Sequence, residues 1–202
     1  MRQLITTTFI SLDGVMEAPG GEAGYAHSGW VGPHFTDDLG AYKFEEQEAA
    51  DVMVLGRKTY ESFYGAWPEG EGPMAQKINT MRKVVASTTL GSSDWHDTTV
   101  VTDLLSAVRD LKAEDGGPIL IPGSRSVVQA LLAAGLVDEV HLQVFPIVLG
   151  SGMRLWADAP DVLAMALVAS RALSSGVQIQ TWRPAEARAV DREQLEEMGR
   201  NA

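Results

Sequence analysis

The chain has 202 residues, 45% of them hydrophobic and 21% charged, which suits one buried core of α/β size and excludes a disordered segment or a small peptide scaffold. Sixteen Lys+Arg against 27 Asp+Glu give a formal net charge of -11, an acidic field that repels phosphate backbones and anionic lipid, so nucleic acid and membrane surfaces are disfavoured partners. The absence of Cys removes disulfides, thiolate nucleophiles and Cys-based metal sites, and a reducing cytoplasm is the expected setting.

Met1 to Thr8 lacks the apolar core and small-residue cleavage site of an export signal, and no stretch reaches the ~18 apolar residues of a spanning helix. Leu4 to Leu12, rich in Ile, Thr and Phe and stopped by Asp13-Gly14, predicts a strand ending in a turn. Val15 to Pro33 carries many Gly and isolated aromatics and reads as a long loop of the active-site lid type. Thr36 is the expected N-cap of a helix running to about Ala50.

Asp51 to Gly56 then predicts a strand, and Arg57 to Phe63 a short helix. Gly65 to Pro73 reads as a surface segment, and Lys83 to Ala86 as a strand leading into the hydroxyl cluster Ser87-Thr88-Thr89. Two further strand-then-helix steps follow, Thr98–Val101 before Leu104 to Leu111, and Pro118–Ile121 before Val127 to Ala134. Val137 to Val148 alternates as an exposed strand and suggests a homodimer contact. Val162 to Leu173 and Val177 to Trp182 flank Ser174-Ser175-Gly176 as a hairpin. The pattern predicts one domain over 1–184, with a mixed, mostly parallel sheet and helices on both faces, and a polar tail or surface helix over 185–202.

His27, His34, His96 and His141 lack metal-ligand spacing, so no metal site is expected, and neither a P-loop, a Gly-x-Gly-x-x-Gly fingerprint nor a nucleophile elbow is present. Instead, three expected strand ends share one pattern: Gly56-Arg57-Lys58-Thr59, Ser87-Thr88-Thr89 and Gly123-Ser124-Arg125-Ser126. Ligands collect beyond the carboxyl ends of strands in open α/β sheets, where helix N-termini offer unpaired N–H groups to anions. Gly123 permits close backbone approach, Arg57 and Lys58 supply charge, and Thr59, Ser87 and Ser124 supply hydroxyl donors, a set that fits a phosphate-rich cofactor. Each piece alone also serves as plain turn or cap chemistry.

Leu55-Gly56-Arg57-Lys58-Thr59-Tyr60-Glu61-Ser62 resembles a segment of dihydrofolate reductases, and Ser11-Leu12-Asp13-Gly14 resembles the first-strand turn of their relatives in riboflavin biosynthesis. The likeness continues through Ile121-Pro122-Gly123-Ser124, Gly135 to Val140 and Pro146 to Gly152, from about Arg2 to Trp182. It implies a three-layer dihydrofolate reductase-like fold that binds NADPH. Arg57, Lys58 and Thr59 then face cofactor phosphates, Ser87 and Thr88 lie near the adenosine 2′-phosphate, and Gly123, Ser124, Arg125 and Ser126 hold the pyrophosphate.

The implied reaction is hydride transfer to a pterin-like or ribosylaminopyrimidine substrate, with genuine dihydrofolate reduction and a non-catalytic NADPH-binding role as alternatives. Asp37 and Asp38 follow Trp30 at about the distance of the acidic residue of folate reductases and are the candidate catalytic carboxyls. Where folate reductases keep an Arg for the glutamate tail, this chain has Met81, with Arg82 alongside. Asp13 is either a substrate contact or ordinary turn chemistry. Trp30, Phe35, Tyr42 and Tyr64 are candidate walls of a pocket for a planar heterocycle.

Overall fold

In the computed structural model, which describes residues 1–156 and 162–186, the apolar runs expected to be strands are the ones that pair at the centre of a single sheet. The strands are β1 (Leu4–Ser11), β2 (Val52–Gly56), β3 (Arg82–Ala86), β4 (Thr98–Val101), β5 (Ile119–Pro122), β6 (Glu139–Phe145), β7 (Met165–Ala172) and β8 (Gln178–Pro184). The helices are α1 (Asp37–Ala49), α2 (Arg57–Ala66), α3 (Pro73–Thr80), α4 (Leu104–Ala113) and α5 (Arg125–Ala133).

Spatial order across the sheet is β4-β3-β2-β5-β1-β6-β8-β7. The pairs from β4 to β6 are parallel, and β6, β8 and β7 pair antiparallel, so the hairpin expected around Ser174-Ser175-Gly176 closes the sheet. Every residue of β2 and β5 is buried, as befits parallel strands covered on both faces. Side chains alternate between two layers: Val52, Val54, Ile119 and Ile121 pack with Val108 and Leu111 of α4 and Val128 and Leu131 of α5. Met53, Leu55 and Leu120 pack on the other face with Tyr60 of α2, Ile78 of α3 and Trp95. A third cluster on that second face joins Leu39 of α1 to Trp30, Phe145 and Ile179. Three layers result, as expected.

One expectation is corrected and one helix is added. The run Val137 to Val148 does not present a dimer-forming edge: β6 is paired by β1 on one side and β8 on the other, and its alternation reflects the two sheet faces. The surface segment read over Gly65 to Pro73 ends in α3, a helix absent from the sequence reading. Its signals were present, since Gly72 at φ 88 precedes Pro73 in the first turn, and Ala75 and Ile78 recur at helical spacing. Residues 187–202 of the expected tail lie outside the described residues. Among the described residues no helix is long and apolar enough to cross a membrane.

Candidate functional site

From β2 the chain leaves through α2 and α3 toward β3, and from its neighbour β5 it leaves through α5 toward β6 on the opposite flank. The connections diverge there, opening a crevice outside the carboxyl ends of β2 and β5, the position where open α/β sheets bind ligands. The three strand ends picked out by the sequence belong to β3, β2 and β5, which are adjacent in that order.

At the switch the two helix starts are locked together. The Gly56 amide donates to Ser124 Oγ at 3.2 Å, and Thr59 Oγ1 shares a hydrogen bond with the same Oγ at 2.6 Å. Because the Ser124 side chain reaches α2, it does not cap its own helix, and neither α2 nor α5 has a side-chain N-cap hydrogen bond. Gly123 and Ser124 both sit at φ 61, the left-handed region that favours glycine, and the Gly123 amide donates to Thr7 O at 2.8 Å. Two helix N-termini without side-chain caps, on opposite faces of the sheet, thus meet at one point with their positive dipole ends converging, a setting that favours an anion.

Over β3 the Arg57 guanidinium is held by Glu61 (Nε to Oε1, 2.7 Å) and Thr89 (Nη1 to Oγ1, 3.0 Å). Ser87 Oγ accepts the amides of Thr89 at 3.2 Å and Leu90 at 3.0 Å, which turns the hydroxyl cluster back over the strand end. Lys58, Thr88 and Ser126 are exposed around the rim, and Arg125 is half-buried at the start of α5. Together they place a forked cation and hydroxyls beyond β3, and two dipole ends beyond β2 and β5, groups of the kind that bind phosphate. On the other flank β1 continues to Ser11 after its pairing with β5 stops at Thr7, so one edge of its last residues faces the crevice.

The remaining expected residues divide. Asp13 lies at the β1 end of the crevice, but its carboxylate is taken up by protein donors, Ser11 Oγ at 2.7 Å, Leu149 N at 3.0 Å, Gly150 N at 2.9 Å and Arg154 Nη2 at 3.2 Å. Asp38 accepts from Thr36 Oγ1 at 2.5 Å and Ser174 N at 2.8 Å, tying α1 to the β7–β8 hairpin. Those two hydrogen bonds hold its pKa down at about 2. Asp37 is exposed in the first turn of α1.

Trp30 is buried edge-on against Phe145 with centroids 5.2 Å apart. Tyr64 is not its neighbour: it stacks on Tyr60 at 5.6 Å and donates to Asp94 Oδ1 at 2.6 Å, in the separate cluster around Trp95. Phe35 is exposed beside Gly40, and Tyr42 donates to Glu46 instead of lining an open wall.

Sequence reasoning missed a buried ionic cluster. Lys43 donates to Thr7 Oγ1 at 2.8 Å and pairs with Glu46, while His141 places Nδ1 2.9 Å from Glu46 Oε1 and Nε2 3.0 Å from Glu139 Oε2. Arg183 completes it on Glu139 Oε1 at 2.7 Å. Burial works against both charges, but Lys43 and His141 hold Glu46 down at about 2, and the two carboxylates raise His141 above its usual value. The one available signal was a helix, α1, with little apolar stripe to present to the sheet.

The sequence profile described as the RibD C-terminal domain matches residues 2–179. The chain belongs to that family. The uncharacterized protein YyaP of Bacillus subtilis (strain 168) is similar to this RibD C-terminal domain protein, 29% identical over 181 residues that span 87% of the chain and 92% of YyaP. A pyrimidine reductase-like protein of Corynebacterium diphtheriae superposes with a TM-score of 0.66 at 15% identity, covering 92% of each chain. Dihydrofolate reductase from Enterococcus faecalis, solved with NADP(H), superposes at 0.59 and 14% identity over 91% of this chain and 97% of its own. The fold of this RibD C-terminal domain protein is therefore dihydrofolate reductase-like, as the sequence resemblance implied.

Proposed function

We propose that this protein is an NADPH-dependent reductase that passes a hydride to a pterin-like or ribosylaminopyrimidine substrate. The observation that carries the reading is the junction of two uncapped helix N-termini at Gly56 and Ser124, flanked by Arg57 over β3. In this reading Gly56, Thr59, Gly123, Ser124, Arg125 and Ser126 cradle the pyrophosphate, Lys58 adds charge at the rim, and Arg57, Ser87 and Thr88 take the 2′-phosphate. Bound there, the reduced nicotinamide supplies the hydride for a C=N or C=O carbon, and no protein nucleophile is needed.

The chain's own task is to orient that ring, exclude water and let a proton reach the acceptor heteroatom. Asp38, its carboxylate taken up by Thr36 and Ser174 and held at about 2, carries no proton to give at neutral pH, so the proposed proton source is water, with Asp37 as the carboxyl left to orient it. Trp30 and Phe145 are packed into the core beside the ends of β1 and β6, where they back the site and do not line it. Folate itself is the weaker substrate reading: Met81 is buried, and Arg82, at the amino end of β3, is engaged by Glu114 at 2.9 and 3.1 Å.

A fluorescence titration with NADPH and NADH tests the proposal, with NADPH expected to bind at least about tenfold more tightly because the extra phosphate meets a cation and hydroxyls. Equal affinity, or no binding, overturns it. Turnover of a ribosylaminopyrimidine against dihydrofolate then separates the substrates, and binding without turnover of either identifies a non-catalytic cofactor-binding protein.

A further inference from the structure

The turn after β1 and the turn after β6 leave adjacent strands and are joined by more hydrogen bonds than a surface loop pair needs. Arg154 donates through Nε to Asp13 O at 2.9 Å, and through Nη2 to Asp13 Oδ2 at 3.2 Å and Gly150 O at 3.0 Å. Asp13 in turn accepts the amides of Leu149 and Gly150. Backbone bonds continue the seam, with Met16 N to Met153 O at 2.9 Å and Leu155 N to Gly14 O at 3.1 Å, while Glu17 accepts the Met153 amide at 2.7 Å. Gly152, at φ 120, leaves no room for a side chain: a methyl there would stand 2.8 Å from Val15 Cγ1 and 2.9 Å from the Tyr25 hydroxyl.

This seam reaches the crevice through Met16. Its Cε lies 3.8 Å from the position a Cβ would take on Gly123, so the segment after Asp13 forms the wall facing the β5–α5 turn. The Leu149 amide, with Ser11 and Gly150, outweighs burial and holds the Asp13 carboxyl down at about 2, so the pair stays ionic throughout the neutral range.

We propose that Asp13 and Arg154 are a positioning pair: by clamping the two turns together they set Met16 across from Gly123 and fix the slot between β1 and β5 through which the pyrophosphate passes to the nicotinamide half of the dinucleotide. The inference rests on the cofactor reading above and goes beyond it, since neither side chain need touch the ligand. A loosened clamp penalises the half of the dinucleotide beyond Gly123 selectively, because the 2′-phosphate groups Arg57, Ser87 and Thr88 lie at the end of β3, away from the seam.

The test uses the full chain and two ligands, NADPH and 2′,5′-ADP, the latter carrying the extra phosphate but no nicotinamide. Asp13→Asn and Arg154→Gln are each expected to weaken NADPH about tenfold while 2′,5′-ADP changes less than about twofold, and the double variant to be no worse than either single one, because the two residues act as a unit. Hydrogen exchange of residues 14–17 and 149–154 without ligand is expected to accelerate in the same variants. If Asp13→Asn fails to fold, Arg154→Lys, which keeps the charge and loses the planar fork, carries the same comparison. Unchanged NADPH affinity in a folded variant, or equal weakening of both ligands, overturns the clamp. Wild-type protein that binds neither ligand defeats the dinucleotide reading and the clamp with it.

Discussion

Ser124 Oγ stands 3.2 Å from the amide nitrogen of Gly56, so one hydroxyl joins the starts of two helices that lie on opposite faces of the sheet. A methyl at Gly56 would meet Ser124 Oγ at 2.5 Å and Val127 Cγ2 at 3.1 Å. Gly56→Ala is expected to destabilise the fold by about 1–3 kcal/mol through overpacking and to weaken NADPH by at least tenfold. Urea denaturation and titration of the same preparation check both.

Arg57 is fixed by Glu61 and Thr89. Arg57→Ala is expected to cost NADPH roughly ten- to hundredfold, the range of one charge-assisted hydrogen bond, and to leave NADH unchanged. A parallel loss of both nucleotides removes Arg57 from the 2′-phosphate.

His141 presents both ring nitrogens to carboxylates, which accept only, so the fold favours its imidazolium form. Its pKa is raised in the fold, where Glu46 and Glu139 outweigh burial, with Lys43 on Glu46, Tyr42 donating to Glu46 and Arg183 on Glu139. A raised folded value means the contribution is complete below the unfolded value of about 6.5 and is lost as pH rises through the folded one. The urea midpoint is therefore expected to fall from pH 6 toward alkaline conditions, and His141→Gln to flatten that slope relative to wild type. On the acid side the Glu46 contribution, present above its unfolded value, is lost as pH falls toward about 2.

Lys83 is fully buried in β3 and donates to Ile78 O at 3.0 Å, Asn79 O at 3.0 Å and Met81 O at 2.6 Å, with its ammonium 4.5 Å from the Trp95 ring centroid. It caps the end of α3. Lys83→Met leaves those carbonyls without their donor and is expected to cost about 2–4 kcal/mol, read from chemical denaturation. A variant as stable as wild type would show that the helix end finds other donors.

Asp38→Asn separates the structural from the chemical role of that carboxylate. Loss of the charged acceptor for Ser174 N and Thr36 is expected to lower stability by about 1 kcal/mol and to leave NADPH affinity within about twofold. A hundredfold fall in turnover with stability intact would return Asp38 to the chemistry, and Asp37→Asn provides the companion measurement.

What the sequence made legible was local. The apolar runs Val52–Gly56 and Ile119–Pro122, each followed by a helical pattern, identify buried parallel strands, and the Gly and hydroxyl residues at their ends mark the crevice because parallel strands place such ends side by side. Contacts between distant segments left no such trace. Glu46 and His141 are 95 residues apart, and Asp13 and Arg154 are 141 apart, so neither pairing has a periodic signature. The packing of Tyr64 is of the same kind: aromatic identity does not reveal which face of α2 it occupies or that Trp95 lies beside it. The alternation of β6 reports two sheet faces and says nothing of which strands lie beside it, so it cannot tell an exposed strand from an inner one.

The place of β5 between β1 and β2 also governs the order in which the molecule can be assembled. During synthesis β1 and β2 emerge early yet have no edge in common, and the strand that joins them arrives only with Ile119–Pro122. A nascent chain halted before that point holds a β2–β3–β4 sheet and a lone β1, exposed to chaperones or to wrong partners, until one four-residue strand unites them.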